Sequence, residues 1–101
     1  MYIITNGIRI SKGTSLQLVH LFQTQEEIKK QSGFMNLEIW TQLQDGPEDF
    51  CLVVTQWKSK EYYDNWIASE AFKRSHSGTH PTYILGPGET NHYELGLAVS
   101  L

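Results

Sequence analysis

Residues 34–57 read FMNLEIWTQLQDGPEDFCLVVTQW, and this segment has the pattern of a β-hairpin. Apolar and polar side chains alternate in residues 34–44, which is typical of a strand with one buried face. The loop 45–49 contains Gly46 and Pro47, residue types that favour turns. The apolar run of residues 50–54 is unbroken, which predicts a second strand that is buried on both faces.

A strand that is buried on both faces needs a cover on each side of its sheet. The helices predicted below can cover one side only, so the other side requires a second copy of the chain. The pattern therefore predicts a homodimer in which two sheets pack face to face. The alternative is that Cys51 and Val53 are half-exposed in a monomer.

The remaining elements are predicted outward from this hairpin. In the first strand Ile4, Asn6, Ile8 and Ile10 share one face. The elements are a strand over residues 2–10, a helix between Thr14 as N-cap and Ser32-Gly33, strands over 34–44 and 50–57, a helix over 60–69 after Ser59, a helix over 70–77 ending at Gly78, a loop over 79–90 with a short extended piece at 83–85, and a strand over 92–100. The order βαββαβ predicts one α+β domain, residues 1–101, with a ferredoxin-like antiparallel sheet and the helices on one face.

Composition excludes several classes of partner. The 101 residues carry a net charge of −3 without a basic stripe, so no nucleic-acid partner is expected. No apolar run approaches the roughly 20 residues that span a bilayer, so no membrane partner is expected either. Cys51 is the single cysteine, which is typical of a reducing compartment and predicts a cytoplasmic protein.

Three side chains could carry chemistry, and each has a plainer interpretation. Asn6 lies among isoleucines, where it is either a core amide bonded to nearby backbone or a functional donor. His76, near the end of the second helical region, is either a surface residue or a metal ligand. The other histidines are alternative candidates for that ligand: His20, His80 and His92. Trp66 belongs to an apolar helical stripe and is either core or part of a pocket. A kink near residues 69–70 would bring Trp66 and His76 around one pocket.

These residues also stand in a pattern that resembles a known family. Asn6-Gly7, then Lys12-Gly13-Thr14, Trp57-Lys-Ser-Lys-Glu and Trp66-x-x-Ser-x-x-Phe-Lys-x-x-His76 are similar to the IsdG-type haem-degrading monooxygenases. These enzymes belong to the antibiotic biosynthesis monooxygenase superfamily of dimeric α/β barrels. The resemblance covers residues 2–78 and, more loosely, the final strand. Pro81 and the turn Gly86-Pro87-Gly88, which could reshape a pocket edge, fit it poorly.

The resemblance implies a role for each site residue. His76 would be the proximal ligand of the haem iron, and Asn6 would donate a hydrogen bond to dioxygen on the distal side. Trp66 would press on the porphyrin and distort it, and Phe22 would line the pocket. Haem b would be both substrate and cofactor, with dioxygen as oxidant and a reductase or small reductant as external electron donor.

Two other functions fit the same residues. A cofactor-free monooxygenase of a quinol or polyketide would use Asn6 and Trp66 to position an aromatic substrate, with His76 as a base or a surface residue. A non-enzymatic haem carrier or sensor would bind haem and leave it intact. A haemin titration followed by reductant separates the three functions.

Overall fold

The computed structural model describes residues 1–78 and 80–101, so Thr79, within the predicted loop 79–90, lies outside the described residues. The strands are β1 (Tyr2–Ser11), β2 (Phe34–Gln42), β3 (Glu48–Trp57) and β4 (Glu89–Glu94); the helices are α1 (Ser15–Gln23), α2 (Lys60–Ile67) and α3 (Glu70–Ser75), with a 3-10 turn at Ile28–Lys30. The strands form one four-stranded sheet in the order β2-β3-β1-β4, and every pairing is antiparallel. The predicted ferredoxin-like α+β fold is confirmed.

The central strands β1 and β3 have opposite faces with different surroundings. One face, which we call the covered face, packs against the helices, and on it Cys51 is 0% and Val53 6% exposed. The alternative that these two side chains are half-exposed is therefore wrong. Their neighbours Leu52 and Val54 point to the other face, which no described helix covers and which we call the open face.

The first helix is shorter than the sequence predicts. It ends at Gln23, and Thr24 at its C-cap donates its hydroxyl to the carbonyl of Leu21 at 2.8 Å. Such a side-chain bond to nearby backbone competes with helix continuation. Ile28 still reaches the core, because the 3-10 turn returns the chain to the sheet.

Two predicted helix caps are also wrong in detail. The hydroxyl of Thr14 donates to the carbonyl of Ser11 at 2.7 Å and does not cap α1. Ser59 precedes α2 but makes no side-chain cap bond. The cap that forms belongs to Ser69, whose hydroxyl accepts from the amide of Phe72 at 3.1 Å and begins α3 after the predicted kink.

The last strand ends at Glu94 and not at residue 100, and β2 ends at Gln42 and not at residue 44. In β4 the reason is the lack of a neighbour, because β1 begins at Tyr2, which pairs with Glu94. A bond from the amide of Leu95 to the carbonyl of Met1, 3.0 Å long, is the last contact of this ladder. Among the described residues no helix is long and apolar enough to cross a membrane.

Candidate functional site

An open cavity of about 950 Å³ lies between the covered face of the sheet and the helices. Its volume is at the upper end of the range usual for small-molecule sites. All four side chains selected from the sequence, Asn6, Phe22, Trp66 and His76, line this cavity. Most of the other lining side chains are apolar, among them Ile4, Ile8, Leu21, Leu37, Val53 and Phe72.

Asn6 projects from the middle of β1 between Ile4 and Ile8, because alternate residues of a strand share a face. Its carboxamide oxygen Oδ1 is, within residues 1–78 and 80–101, the one buried side-chain nitrogen or oxygen atom without a hydrogen-bond partner. A buried acceptor without a partner costs about 1–3 kcal/mol. A core amide satisfied by nearby backbone would have a partner for this oxygen, which Oδ1 does not have among the described residues, and the role of Asn6 stays a prediction.

His76 lies at the C-cap of α3, lines the cavity and is exposed to solvent. Its ring atom Nδ1 is 3.0 Å from the carbonyl oxygen of Phe72 and 2.9 Å from the hydroxyl of Ser75. A carbonyl oxygen only accepts, so this contact is a hydrogen bond in the tautomer that carries the proton on Nδ1. This tautomer leaves the lone pair of the neutral imidazole on Nε2, which is the form and atom that ligate metals.

Three rings connect the helical residues of the site. The ring of His76 stacks on that of Phe72 with centroids 4.0 Å apart and an interplanar angle of 26°. The ring of Phe72 in turn meets Trp66 edge-on at 5.4 Å. Trp66 is 5% exposed, so it belongs to the core as well as to the cavity wall. The two interpretations of Trp66 are therefore both correct.

The structure places the rival histidines differently. His92 lies on β4 and its Nδ1 is 2.7 Å from the hydroxyl of Tyr2, outside the cavity lining. His20 is exposed on α1 and is also absent from the lining. His80 lines the cavity together with His76, so it remains the alternative ligand.

Sequence reasoning missed several cavity residues. Phe72 could have been found from its spacing of four before His76 on one helical turn. Tyr63 lines the wall beside Trp66, and burial raises the pKa of its phenol above the ordinary value, which keeps the hydroxyl neutral. The loop over residues 80–88, which we call the β4 loop, contributes Pro81, Ile84 and the turn Gly86-Pro87-Gly88. The sequence predicts this turn at a pocket edge, whereas no periodic pattern signals Ile84.

Fold and cavity together define a class: a ferredoxin-like α+β protein with a large, mostly apolar ligand site between its sheet and its helices. The sequence model of the antibiotic biosynthesis monooxygenase family matches residues 1–78. The chain belongs to this family.

Known proteins are similar to the chain in sequence or in fold. It is 35% identical over 97 residues to the haem-degrading monooxygenase of Shouchella clausii, covering 94% of this chain and 90% of the relative. Its fold is similar to the haem degrader MhuD of Mycobacterium tuberculosis with two haems bound in its active site, with a TM-score of 0.76, 21% identity and coverage of 99% and 100%. It is equally similar to the monooxygenase ActVA-Orf6 of Streptomyces coelicolor in complex with nanaomycin D, with a TM-score of 0.76, 20% identity and coverage of 99% and 91%.

Proposed function

We propose that this chain is a haem-degrading monooxygenase that binds haem in the cavity and cleaves the porphyrin oxidatively. The products are free iron and a linear tetrapyrrole. The sequence similarity to haem-degrading monooxygenases over nearly the whole chain supports this function. The observation that carries it is that Asn6 and His76 line one apolar cavity.

The residues of the cavity fit a haem. The apolar walls suit a flat macrocycle, and a neutral imidazole with its Nε2 lone pair free suits the iron. The carboxamide of Asn6 lies in the cavity wall, where its Nδ2 can donate a hydrogen bond to a ligand. His76 also has the supporting bond from Nδ1 to a backbone carbonyl that orients metal-binding histidines.

Each side chain then has a task. His76 holds the iron, and the stacked ring of Phe72 fixes the plane of its imidazole. Asn6 would offer its amide as a hydrogen-bond donor to dioxygen, and the apolar residues beside it would exclude water. Trp66 and Phe22 would contact the macrocycle, and the core holds the indole of Trp66 in place.

Haem b is substrate and cofactor at once, since its iron supplies the redox centre for the oxidation of its own ring. The reaction consumes dioxygen and electrons. We propose that the electrons come from an external donor, either a reductase or a small reductant. The protein supplies binding, orientation and a dry pocket.

We further propose that the chain is a homodimer with the sheets of two copies closing a β-barrel. A second hollow of about 380 Å³ lies on the open face, where Leu52 and Val54 form part of its lining. Trp40 and Tyr93, which line it from the two edge strands, are 53% and 51% exposed, and large apolar side chains exposed on one face are typical of an interface. A second copy placed on this face would bury them.

Two smaller proposals come from the sequence. Residues 1–101 are proposed to form a single domain. The cytoplasmic location stays a prediction based on cysteine usage, and Cys51 is buried and free.

The test of the proposed function is a haemin titration of the purified protein, followed by ascorbate under air. We expect a Soret band that saturates, gives the number of haems per chain, and bleaches on addition of ascorbate. Mass spectrometry of the product then identifies a linear tetrapyrrole, and an iron chelator detects the released metal. Absence of a saturating Soret band would contradict the proposal, and stable binding without bleaching would indicate a carrier or sensor.

Three histidine variants identify the ligand. His76→Ala is expected to weaken haem binding by about 100-fold or more, because the iron loses its protein ligand. His20→Ala is the matched control, since His20 is exposed outside the cavity. Loss of binding in His80→Ala with retention in His76→Ala would reassign the ligand to His80.

A second candidate function is a cofactor-free monooxygenase of a quinol or polyketide. The similarity to ActVA-Orf6, equal in TM-score to that of MhuD, favours it as the runner-up. In that case haemin would produce no saturating spectral change. The protein would instead consume dioxygen with an aromatic hydroquinone and without added metal, and Asn6→Ala would lower that rate.

A further inference from the structure

The β4 loop follows the same edge of β1 as β4 itself. The amide of Ser11 donates to the carbonyl of Tyr83 at 2.9 Å, and the amide of Leu85 donates to the carbonyl of Arg9 at 3.0 Å. After the turn at residues 86–88, β4 begins with Glu89 opposite Gly7. The turn is therefore held at both ends against the strand that carries Asn6.

Register places Gly88 beside the side chain of Asn6. Asn6 pairs with Thr90 across the two strands, and Gly88, two residues before Thr90, is its diagonal neighbour on the same face. A Cβ atom at residue 88 would lie 3.1 Å from Cγ and 3.2 Å from Nδ2 of Asn6, and it would overlap Oδ1. The carboxamide of Asn6 thus occupies the space of the missing side chain.

The atom that a side chain at residue 88 would overlap is also the buried atom without a hydrogen-bond partner. Oδ1 of Asn6 is sealed from solvent and unpaired, although an unpaired buried acceptor is unfavourable. With the oxygen sealed, the atom of this carboxamide left to serve a ligand is the donor Nδ2. A donor is what the proposed distal role of Asn6 requires.

We propose that Gly88 is a positioning residue for Asn6: because it has no side chain, the carboxamide keeps Oδ1 against the β4 loop and presents Nδ2 to the cavity. The consequence for haem chemistry rests on the proposed function, whereas the contact is a property of the chain without ligand. Gly88 lies beyond residues 1–78, which the family's sequence model matches. The contact therefore joins a residue inside that match, Asn6, to one outside it.

The contact is tested first on the protein without haem. Gly88→Ala is expected to shift the side-chain amide signals of Asn6 in a ¹⁵N–¹H spectrum, with assignment by their loss in Asn6→Ala. Gly96→Ala is the neutral control, because nothing lies within 4 Å of a Cβ atom there. In Gly86→Ala the new Cβ would meet the flexible end of Arg9 at 2.9 Å, so the signals of Arg9 move and those of Asn6 do not. Unshifted Asn6 signals in Gly88→Ala would overturn the proposal.

The consequence is tested on the haemin-loaded protein with fluoride, an anion that binds ferric haem and accepts a hydrogen bond. Gly88→Ala is expected to weaken fluoride binding about tenfold, as Asn6→Ala does, while haemin affinity stays nearly unchanged. The double variant Gly88→Ala/Asn6→Ala should be no weaker than Asn6→Ala alone, because Gly88 acts through Asn6. Additive losses would show that Gly88 acts by another route and would overturn the proposal.

Whether the variants fold provides a further test of the contact between Gly88 and Asn6. If Gly88→Ala does not fold, the double variant should fold, because removal of the carboxamide frees the space for the new Cβ. Failure of the double variant to fold would show that the backbone, and not Asn6, demands glycine at this residue. Failure of haemin to bind to the parent protein would contradict the proposed function and leave the amide spectrum as the test of the contact.

Discussion

The two faces of the sheet differ in how their large side chains are surrounded. Over the covered face lies helix α2, whose Trp66 is 5% exposed and contributes to a cavity of about 950 Å³. On the open face Trp40 is 53% exposed, its indole donates to the carboxylate of Glu38 at 2.9 Å, and the hollow beside it measures about 380 Å³. Each face carries an asparagine as well, Asn6 on the covered face and Asn36 on the open one.

This comparison suggests that the covered face serves ligand chemistry and the open face serves assembly. The covered face has what ligand chemistry needs, which is a large apolar volume with polar side chains in its wall. The open face is apolar and its hollow is smaller, which suits a surface that another flat surface covers. Matched substitutions on the two faces can therefore break or sharpen the assignment of chemistry to one and assembly to the other.

The largest expected effect comes from the tryptophans. Trp66→Ala should lower the free energy of unfolding by about 3–5 kcal/mol at every protein concentration, because it empties a core position. Trp40→Ala should lower it only in proportion to dimer formation, so its effect vanishes on dilution. Urea unfolding at two widely separated protein concentrations measures both. Equal losses that do not depend on concentration would remove the distinction between the faces.

The asparagines separate the faces by activity. Asn6→Ala should bind haem within about threefold of the parent protein and degrade it about 100-fold more slowly, because a donor in a dry pocket is lost. Asn36→Ala makes the same chemical change on the open face and should leave the rate unchanged. Ascorbate-dependent bleaching of the Soret band under air measures the rates. Equal rates in Asn6→Ala and the parent protein would contradict the role of Asn6.

Much of the fold could be predicted because its pattern is local. The unbroken run of residues 50–54 and the alternation before it are sufficient for the hairpin, and the turn chemistry at Gly46-Pro47 separates its strands. The end of the last strand could not be predicted, because residues 95–101 continue the alternation and only the position of Tyr2 on β1 ends the pairing. Strand ends depend on neighbours, which periodicity does not contain.

The site likewise contains residues that the sequence could predict and one that it could not. Asn6, Phe22, Trp66 and His76 could be selected because their residue types and spacing resemble a known family, and the structure brings all four to one cavity. Their roles stay a proposal. The contribution of Gly88 could not be predicted, because a glycine in a turn has an ordinary local explanation, and its contact with Asn6 depends on a register set across 82 positions of sequence.

The last expected effect concerns assembly. Leu52→Asp places a carboxylate in the hollow of the open face, and burial of that charge between two sheets should weaken the dimer about 100-fold. The control is Leu16→Asp, the same change at a side chain that is 80% exposed on α1. Sedimentation velocity over a range of concentrations measures both. A parent protein that sediments as a monomer throughout would contradict the dimer.

The same variant also tests whether the two faces are independent. All the cavity residues named above belong to one chain, so monomeric Leu52→Asp should still bind haemin with nearly the affinity of the parent protein. If it does, the partner copy stabilises the sheet without contributing to the site. If haemin binding falls together with the dimer, the open face controls the position of β1 and hence of Asn6, and the division between chemistry and assembly does not hold.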